Sequence, residues 1–362
     1  MGRKTGGDEM SNKLIRFSPT GIEYGDYAWN PMSGCRHKEQ GKCPPVSCWA
    51  ETIAGRFKDH YPDGFKPHIY PEAFLSPLGL PRAKSRGKRV LVNFMSDMFG
   101  DWVDPFKRYT WTNDGGFHCE ASLREIIYSV IERRPDLTFV FLTKNPAGMR
   151  QWGKFPDNCE LGFSAWDIKS FIANMRGMFW NEIEAKVKWC SLEPLLDWSV
   201  KFQSDIWKLF DWVAVGALTG TKKEMTDLAP RYPKLTPFQI KGAYWGLMPP
   251  VDWLKNIVEQ CDGSAGSPQD AAGIYPERSR GTKVFMKNNL RRWIYTMVNE
   301  KCGFYNPVQP YYIRQECGGR VSPSPLSSPL KGGEITREAA GEDGSFNDVQ
   351  DKEFYKEPEV QV

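Results

Sequence analysis

Short, nearly continuous apolar runs alternate with amphipathic stretches along most of this chain. Strands are predicted at 89–95 (RVLVNFM), 137–143 (LTFVFLT), 160–164 (ELGFS), 187–192 (VKWCSL), 212–217 (WVAVGA) and 283–287 (KVFMK), after a first at 21–29. Leu123, Ile126, Ile127, Val130 and Ile131 recur at helical spacing and predict a buried stripe on a helix over about 120–134, stopped by Pro135. Phe171, Ile172, Met175, Met178 and Phe179 predict another over 168–179, and Leu254, Ile257 and Val258 one over 251–261. Apolar strands separated by amphipathic helices read as parallel strands with helices on their faces. The expected fold is α/β: a partial (β/α) barrel of mostly parallel strands over 15–320, with an open doubly wound sheet as the other option. Residues 1–14 read as flexible, 100–118 as an aromatic loop, and about 221–248 and 262–282 as insertions. Residues 321–362 read as a disordered acidic tail.

One stretch breaks the alternation. Trp29–Glu51, WNPMSGCRHKEQGKCPPVSCWAE, packs Cys35, Cys43 and Cys48 among glycines and prolines, which is loop composition. A helix follows, with Trp49, Ile53 and Phe57 spaced four apart on one face. Three thiols on a loop that opens into a helix are a metal-site layout. The spacing C-x7-C-x4-C leaves three outcomes open: zinc with His37 as fourth ligand, a 4Fe–4S cluster held by three thiolates, or no metal. Outside a zinc site, His37 is expected as an exposed loop histidine.

Composition narrows the setting. No apolar run reaches the ~20 residues of a membrane span, and the N-terminus lacks a signal-type apolar core, so a cytoplasmic protein is expected. Clustered cysteines there are metal ligands or catalytic groups rather than disulfides. The formal net charge is +4, but residues 321–362 hold four basic against nine acidic residues, so the body is distinctly basic. With 14 tryptophans, such a body is compatible with a nucleic-acid or nucleotide partner.

Polar residues follow each predicted strand: the cysteines, then Ser96-Asp97, Lys144-Asn145, Trp166-Asp167 just beyond Ser164, Glu193, Thr219-Gly220 and Lys287-Asn288-Asn289. In parallel α/β folds the C-terminal strand ends converge on one face, where ligands bind. These side chains are therefore expected around one mouth, with Asn30 bracing the cysteine loop and Trp29 and Trp49 walling it from water.

The series WNPMSGC…C…CWAE, VNFMSDMF, FLTKNP, GFSAWD, SLEPLL, WVAVGALTG and VFMKN resembles, in order and over roughly 21–290, a phage-type three-Cys-motif family of phage and bacterial proteins, regarded as radical-SAM-like. Its members read WNP-x-x-GC, CYAE, NSMSDLF, LTKRP, GVS, SCEPLL, GGESG and FFKQWG. This chain departs in the widened second cysteine gap, in Gly216–Gly220, which lacks the acid, and after Lys287. The resemblance implies an iron–sulfur enzyme dependent on S-adenosylmethionine, with Cys35, Cys43 and Cys48 as cluster ligands. If so, Ser96 and Asp97 are candidates to accept from the cofactor's ammonium, Lys144 to pair its carboxylate or a substrate phosphate, and Glu193 to stand near its ribose, with Ser164 and Asp167 as weaker contributors. Modification or repair of nucleic acid or a nucleotide base is the expected activity, with an electron donor such as flavodoxin or ferredoxin and a three-Cys-motif partner protein as expected partners. The alternative is a zinc-stabilised nucleic-acid-binding or accessory protein without radical chemistry.

Overall fold

The structure, a computed structural model, describes residues 16–112, 118–176, 183–199, 202, 204–262 and 282–290, and two short strands further on, 314–316 and 320–322. The expected N-terminal segment, nearly all of the second insertion and the tail beyond Ser322 lie outside the described residues.

In chain order the strands are β1 (Phe17–Pro19), β2 (Tyr27–Trp29), β3 (Met32–Ser33), β4 (His68–Ile69), β5 (Lys88–Val92), β6 (Arg108–Thr112), β7 (His118–Ser122), β8 (Leu137–Thr143), β9 (Cys159–Asp167), β10 (Val187–Asp197), β11 (Trp212–Val215), β12 (Leu218–Thr221), β13 (Thr236–Lys241), β14 (Tyr244–Met248), β15 (Lys283–Met286), β16 (Arg314–Glu316) and β17 (Arg320–Ser322). The helices are α1 (Trp49–Arg56), α2 (Leu123–Glu132), α3 (Ile168–Arg176), α4 (Ser204–Trp207), α5 (Lys222–Leu228) and α6 (Val251–Asp262). The fold is mixed α/β around one eight-stranded sheet, ordered β1-β2-β5-β8-β9-β10-β11-β15. From β2 to β15 every pairing is parallel and each strand lies beside its predecessor in this sheet; only β1 is antiparallel. Among the described residues the sheet has two free ends and does not close by hydrogen bonds into a barrel.

Register assigns its two faces. Leu91, Val140, Trp189, Ala214 and Phe285 share one face and pack together with Tyr24 from the β1–β2 turn. Tyr24 touches Phe285 on β15 at 5.9 Å and Phe94, just after β5, at 6.4 Å; these strands stand five places apart in the sheet, so this inner face is concave and filled. Trp189 lies over β9 at Gly162, where a Cβ would stand 2.3 Å from the indole; only glycine fits. The other face carries Val90, Val92, Phe139, Phe141, Leu161, Phe163, Val213 and Val215 into the main core, with α2 and α6. α2 begins at a capping box, Ser122 with Glu125, and buries all five residues of its predicted stripe.

Several expectations change. β6 and β7 pair as antiparallel strands within and just after the stretch expected as an aromatic loop, and the expected insertion at 221–248 belongs to a three-stranded antiparallel sheet, β12-β14-β13, with α5. α1 buries Ala50 and Ala54, while Trp49 and Phe57 are 52% and 49% exposed. A helix of eight residues ending at Arg56 presents its small residues to the body, which lets the loop and helix lie close. Among the described residues no helix is long and apolar enough to cross a membrane.

Candidate functional site

The cysteine loop leaves β2 at the C-terminal end of the parallel sheet and is bolted to the ends of the next two strands. Gly34, at φ +79°, pairs with Ser96: its N–H reaches Met95 O at 3.0 Å, and Ser96 Oγ donates to its carbonyl. A Cβ at Gly34 would strike the Lys66 carbonyl, and the left-handed backbone there disfavours any other residue. Asn93 also takes a left-handed conformation, φ +63°, which asparagine tolerates, and turns the chain after β5 while its Oδ1 accepts from Met32 N. Asn30 Oδ1 accepts from Met95 N at 3.0 Å, so it braces this junction, as expected.

The central fastening is Asp97. Its carboxylate, buried after β5, accepts from His37 Nε2 at 2.7 Å in the cysteine loop, from Thr143 Oγ1 and Lys144 N at 2.8 Å at the end of β8, and from Phe99 N at 2.9 Å. Burial alone would raise its carboxyl, but the His37 hydrogen bond and charge, with the two N–H donors, outweigh it and hold the group below the usual carboxylate range. Lys42 adds a second bolt, donating to Asn145 Oδ1 at 3.0 Å. Ser96 and Asp97, expected as cofactor acceptors, are in this structure the knots that hold the loop, and both Asp97 oxygens are already engaged.

His37 corrects its expectation: it is 1% exposed, with its ring edge-on to Trp102. With Asp97 ionised, Nε2 is the donor, and Nδ1 is buried without a partner among the described residues. Trp29 is fully buried and donates to Ala73 O, so it walls the loop from beneath; exposed Trp49 does not.

Cys35, Cys43 and Cys48 are half-buried free thiols, and Cys48 is the N-cap of α1. They feel one another electrostatically, Cys35 with Cys43 and Cys43 with Cys48. Burial pushes the Cys35 thiol up to about 12 and raises Cys43, while the Lys144 ammonium pulls both back. Lys144 makes no hydrogen bond through its ammonium among the described residues, so this cation is available beside the thiols. Without a cationic centre Cys35 and Cys43 are neutral thiols; a metal ion reverses that balance by binding the thiolate. Three soft donors on one fastened loop fit a thiophilic centre. Among the described residues no three His, Cys, Asp or Glu side chains converge closely enough to hold one ion. A cluster bound by one thiolate per iron does not require such convergence.

Register then places the remaining strand-end residues. Trp189, Ser191 and Glu193 alternate along the inner face of β10, with Gly162 and Ser164 on β9, Ala214 and Gly216 on β11, and Phe285 and Lys287 on β15. Ser164, Glu193 and Lys287 thus share the polar upper layer of the concave face, above the apolar one. Lys287 Nζ meets Glu193 Oε2 at 3.1 Å and Glu23 Oε2 at 3.4 Å. Burial raises the Glu193 carboxyl, opposed by Lys287 and reinforced by Glu23, whereas the surrounding negative groups raise Lys287 despite its burial. Glu193 Oε1 and the 1%-exposed Ser191 Oγ have no hydrogen-bond partner among the described residues. Ser191 and Glu23 escaped the sequence reading. Ser191 was visible only as an alternate position in a strand, and Glu23 lies in a turn that no strand-end rule reaches. Asp167 instead caps the start of α3 through Ser170 N at 2.6 Å.

No curated protein and no solved structure matches the chain. A family model does match, over residues 19–229, from the end of β1 through α5, and so takes in the cysteine loop, its fastenings and most of the inner face; the chain belongs to the family described as Protein of unknown function (DUF5131).

Proposed function

We propose that this chain is a radical S-adenosylmethionine-type iron–sulfur enzyme on a partial (β/α) barrel, acting on nucleic acid or a nucleotide base. One observation carries the reading: three free thiols sit on the loop after the first parallel strand, fastened to the next two strand ends beside a polar concave face. The sequential parallel order and the inner cluster around Tyr24 support the partial-barrel description. Cys35, Cys43 and Cys48 would hold a 4Fe–4S cluster. When bound, it supplies the electron that cleaves S-adenosylmethionine to methionine and a 5′-deoxyadenosyl radical able to take a hydrogen atom from substrate. Lys144 offers a cation beside the thiols for a carboxylate or phosphate, and Glu193, Ser191 and Ser164 offer polar contacts on the inner face. Asp97, His37 and Ser96 keep the loop in place. The resemblance to phage-type three-Cys-motif proteins supports the same chemistry, with an electron donor of flavodoxin or ferredoxin type and a three-Cys-motif partner as the proteins it would meet.

A second reading has its own observation. A buried histidine with one ring nitrogen on a carboxylate and the other bare is the arrangement of a metal-bound imidazole. In that reading the loop rearranges to bring His37 and the thiols around structural zinc in an accessory protein.

Anaerobic reconstitution with ferrous iron and sulfide decides between them. The expected result is three to four irons per chain, followed by release of 5′-deoxyadenosine on reduction with S-adenosylmethionine. Cys48→Ala should abolish loading, and His37→Ala should leave it largely intact. One tightly retained zinc per chain, no iron uptake and loss of that zinc in His37→Ala would overturn the first reading in favour of the second.

A further inference from the structure

The small sheet β12-β14-β13 leaves the main sheet directly after Gly216-Ala217, where Gly216 abuts Glu193 and Lys287. Its register sorts its side chains into two faces. Leu218, Gly220, Trp245 and Leu247 share one face with α5: a Cβ at Gly220 would stand 3.0 Å from Met225, and Lys222 lies over the Trp245 ring at 5.1 Å. The opposite face carries two rows, Thr219–Gly246–Phe238 and Thr221–Tyr244–Lys241. Tyr244 is 51% exposed, yet its ring is held, because its hydroxyl meets Thr219 Oγ1 at 2.8 Å. Phe238 crosses the strand at Gly246, where a Cβ would stand 2.6 Å from the ring, so the missing side chain is what lets this aromatic lie across the sheet.

The segment from Leu218 to Met248 carries Lys222, Lys223, Arg231, Lys234 and Lys241 against two acids, Glu224 and Asp227. Glu224 is spent on the cap of α5. Lys222 lies over Trp245 on the other face and Lys234 pairs with Asp197, so the cation beside Tyr244 is Lys241. An exposed tyrosine backed by a partly buried Phe238, set among threonines with a lysine opposite, is poor in the contiguous apolar area a folded partner needs and offers what unstacked bases and phosphates use. Duplex bases hide their faces; single-stranded bases offer them.

We propose that the Tyr244–Phe238 face is a stacking platform for single-stranded nucleic acid, Lys241 meeting the backbone and the strand running toward the mouth at Gly216. The role of the platform in delivering a base to the mouth rests on the proposed function above; binding at the platform does not.

Fluorescence anisotropy of labelled 12-nucleotide single strands, one DNA and one RNA, against the full chain tests this. Tyr244→Ala is expected to weaken binding of at least one strand roughly 5- to 150-fold, the usual loss of one stacked base. Tyr244→Phe, which keeps the ring, should stay within about twofold of wild type. Lys241→Ala should lower the slope of log affinity against log salt by about 0.7, one phosphate contact on a single strand. Iron loading of Tyr244→Ala should equal that of wild type, which confirms an intact fold elsewhere. The proposal is overturned if Tyr244→Ala binds both strands as wild type does, if Tyr244→Phe loses as much as Tyr244→Ala, or if a 12-base-pair duplex binds as tightly as either strand. Iron uptake failing while Tyr244-dependent binding persists would remove the cluster and leave the platform.

Discussion

The two ends of the concave face are built from similar residues and treat them in opposite ways. At the lower end Arg89 makes a bidentate pair with Glu160, 2.8 and 3.1 Å, and donates through Nε to Tyr24 O at 2.9 Å. Trp212 Nε1 reaches the same carboxylate at 3.0 Å, its ring stacked on Trp189 at 4.1 Å. Near it Asp136, at the start of β8, is held by Arg134 and Ser85. At the upper end one cation, Lys287, serves two carboxylates, and Glu193 Oε1 and Ser191 Oγ have no partner among the described residues. A buried charge with every donor placed is a fastening. A buried charge with an atom left over costs stability and awaits a ligand. The lower end is therefore a fastening, and the upper end is where the proposed chemistry would take place.

The largest expected contrast is Arg89→Ala. It strands the Glu160 carboxylate in a mostly buried position and should lower stability by about 3 kcal/mol, read as the denaturant midpoint. A loss under about 1 kcal/mol would break the claim that this end is structural.

Acid titration gives the next. Arg134 hydrogen bonding, helped by Ser85, holds Asp136 well below the usual carboxylate range. A folded-state value below the unfolded one stabilises the protein above the unfolded pKa, near 3.9, and that stability is lost as pH falls through the folded value. Asp136→Asn should therefore be less stable than wild type by about 2 kcal/mol at neutral pH, with the gap closing below about pH 4. Parallel stability curves down to pH 2 would contradict it.

The smallest effect is expected at the mouth. Glu193 is raised by burial and competes with Glu23 for Lys287. Its stabilising contribution is present below its unfolded pKa and is lost as pH rises through the raised value. Glu193→Gln should thus stay within about 1 kcal/mol of wild type at neutral pH, tending to stabilise, while reducing S-adenosylmethionine turnover. A loss of 3 kcal/mol would make the two ends alike and remove the distinction.

How much of this was legible varies with the range of the interaction. β8 was predicted to the residue, because LTFVFLT is bounded by Pro135-Asp136 and Lys144-Asn145. The stripe of α2 was legible from its five-residue apolar face, while its start was placed at about 120 because the capping box of Ser122 and Glu125 was not read. Expecting Lys144, Ser164 and Glu193 at the same end of the sheet required only strand order. The hairpin β6–β7 was missed although its alternating strands flank Asn113-Asp114-Gly115-Gly116, a turn sequence in its own right. Phe238, Tyr244 and Trp245 looked like an insertion because half-exposed antiparallel strands lack the continuous apolar run of parallel ones. His37 was expected exposed for another reason: burial on a loop is decided by contacts with distant segments, here Asp97, 60 residues along the chain.

The reach of Glu23 to Lys287 also has a meaning in time. The turn that fills the concave face is synthesised well before the cation it faces, which follows the last strand of the main sheet. Until β15 is made, Glu23 and Glu193 have carboxylates destined for one buried layer without the Lys287 ammonium between them. The concave face is therefore assembled late, on a non-local contact spanning nearly the whole described chain. A nascent or truncated chain ending before Lys283 holds every cysteine of the loop yet lacks the strand that completes its mouth.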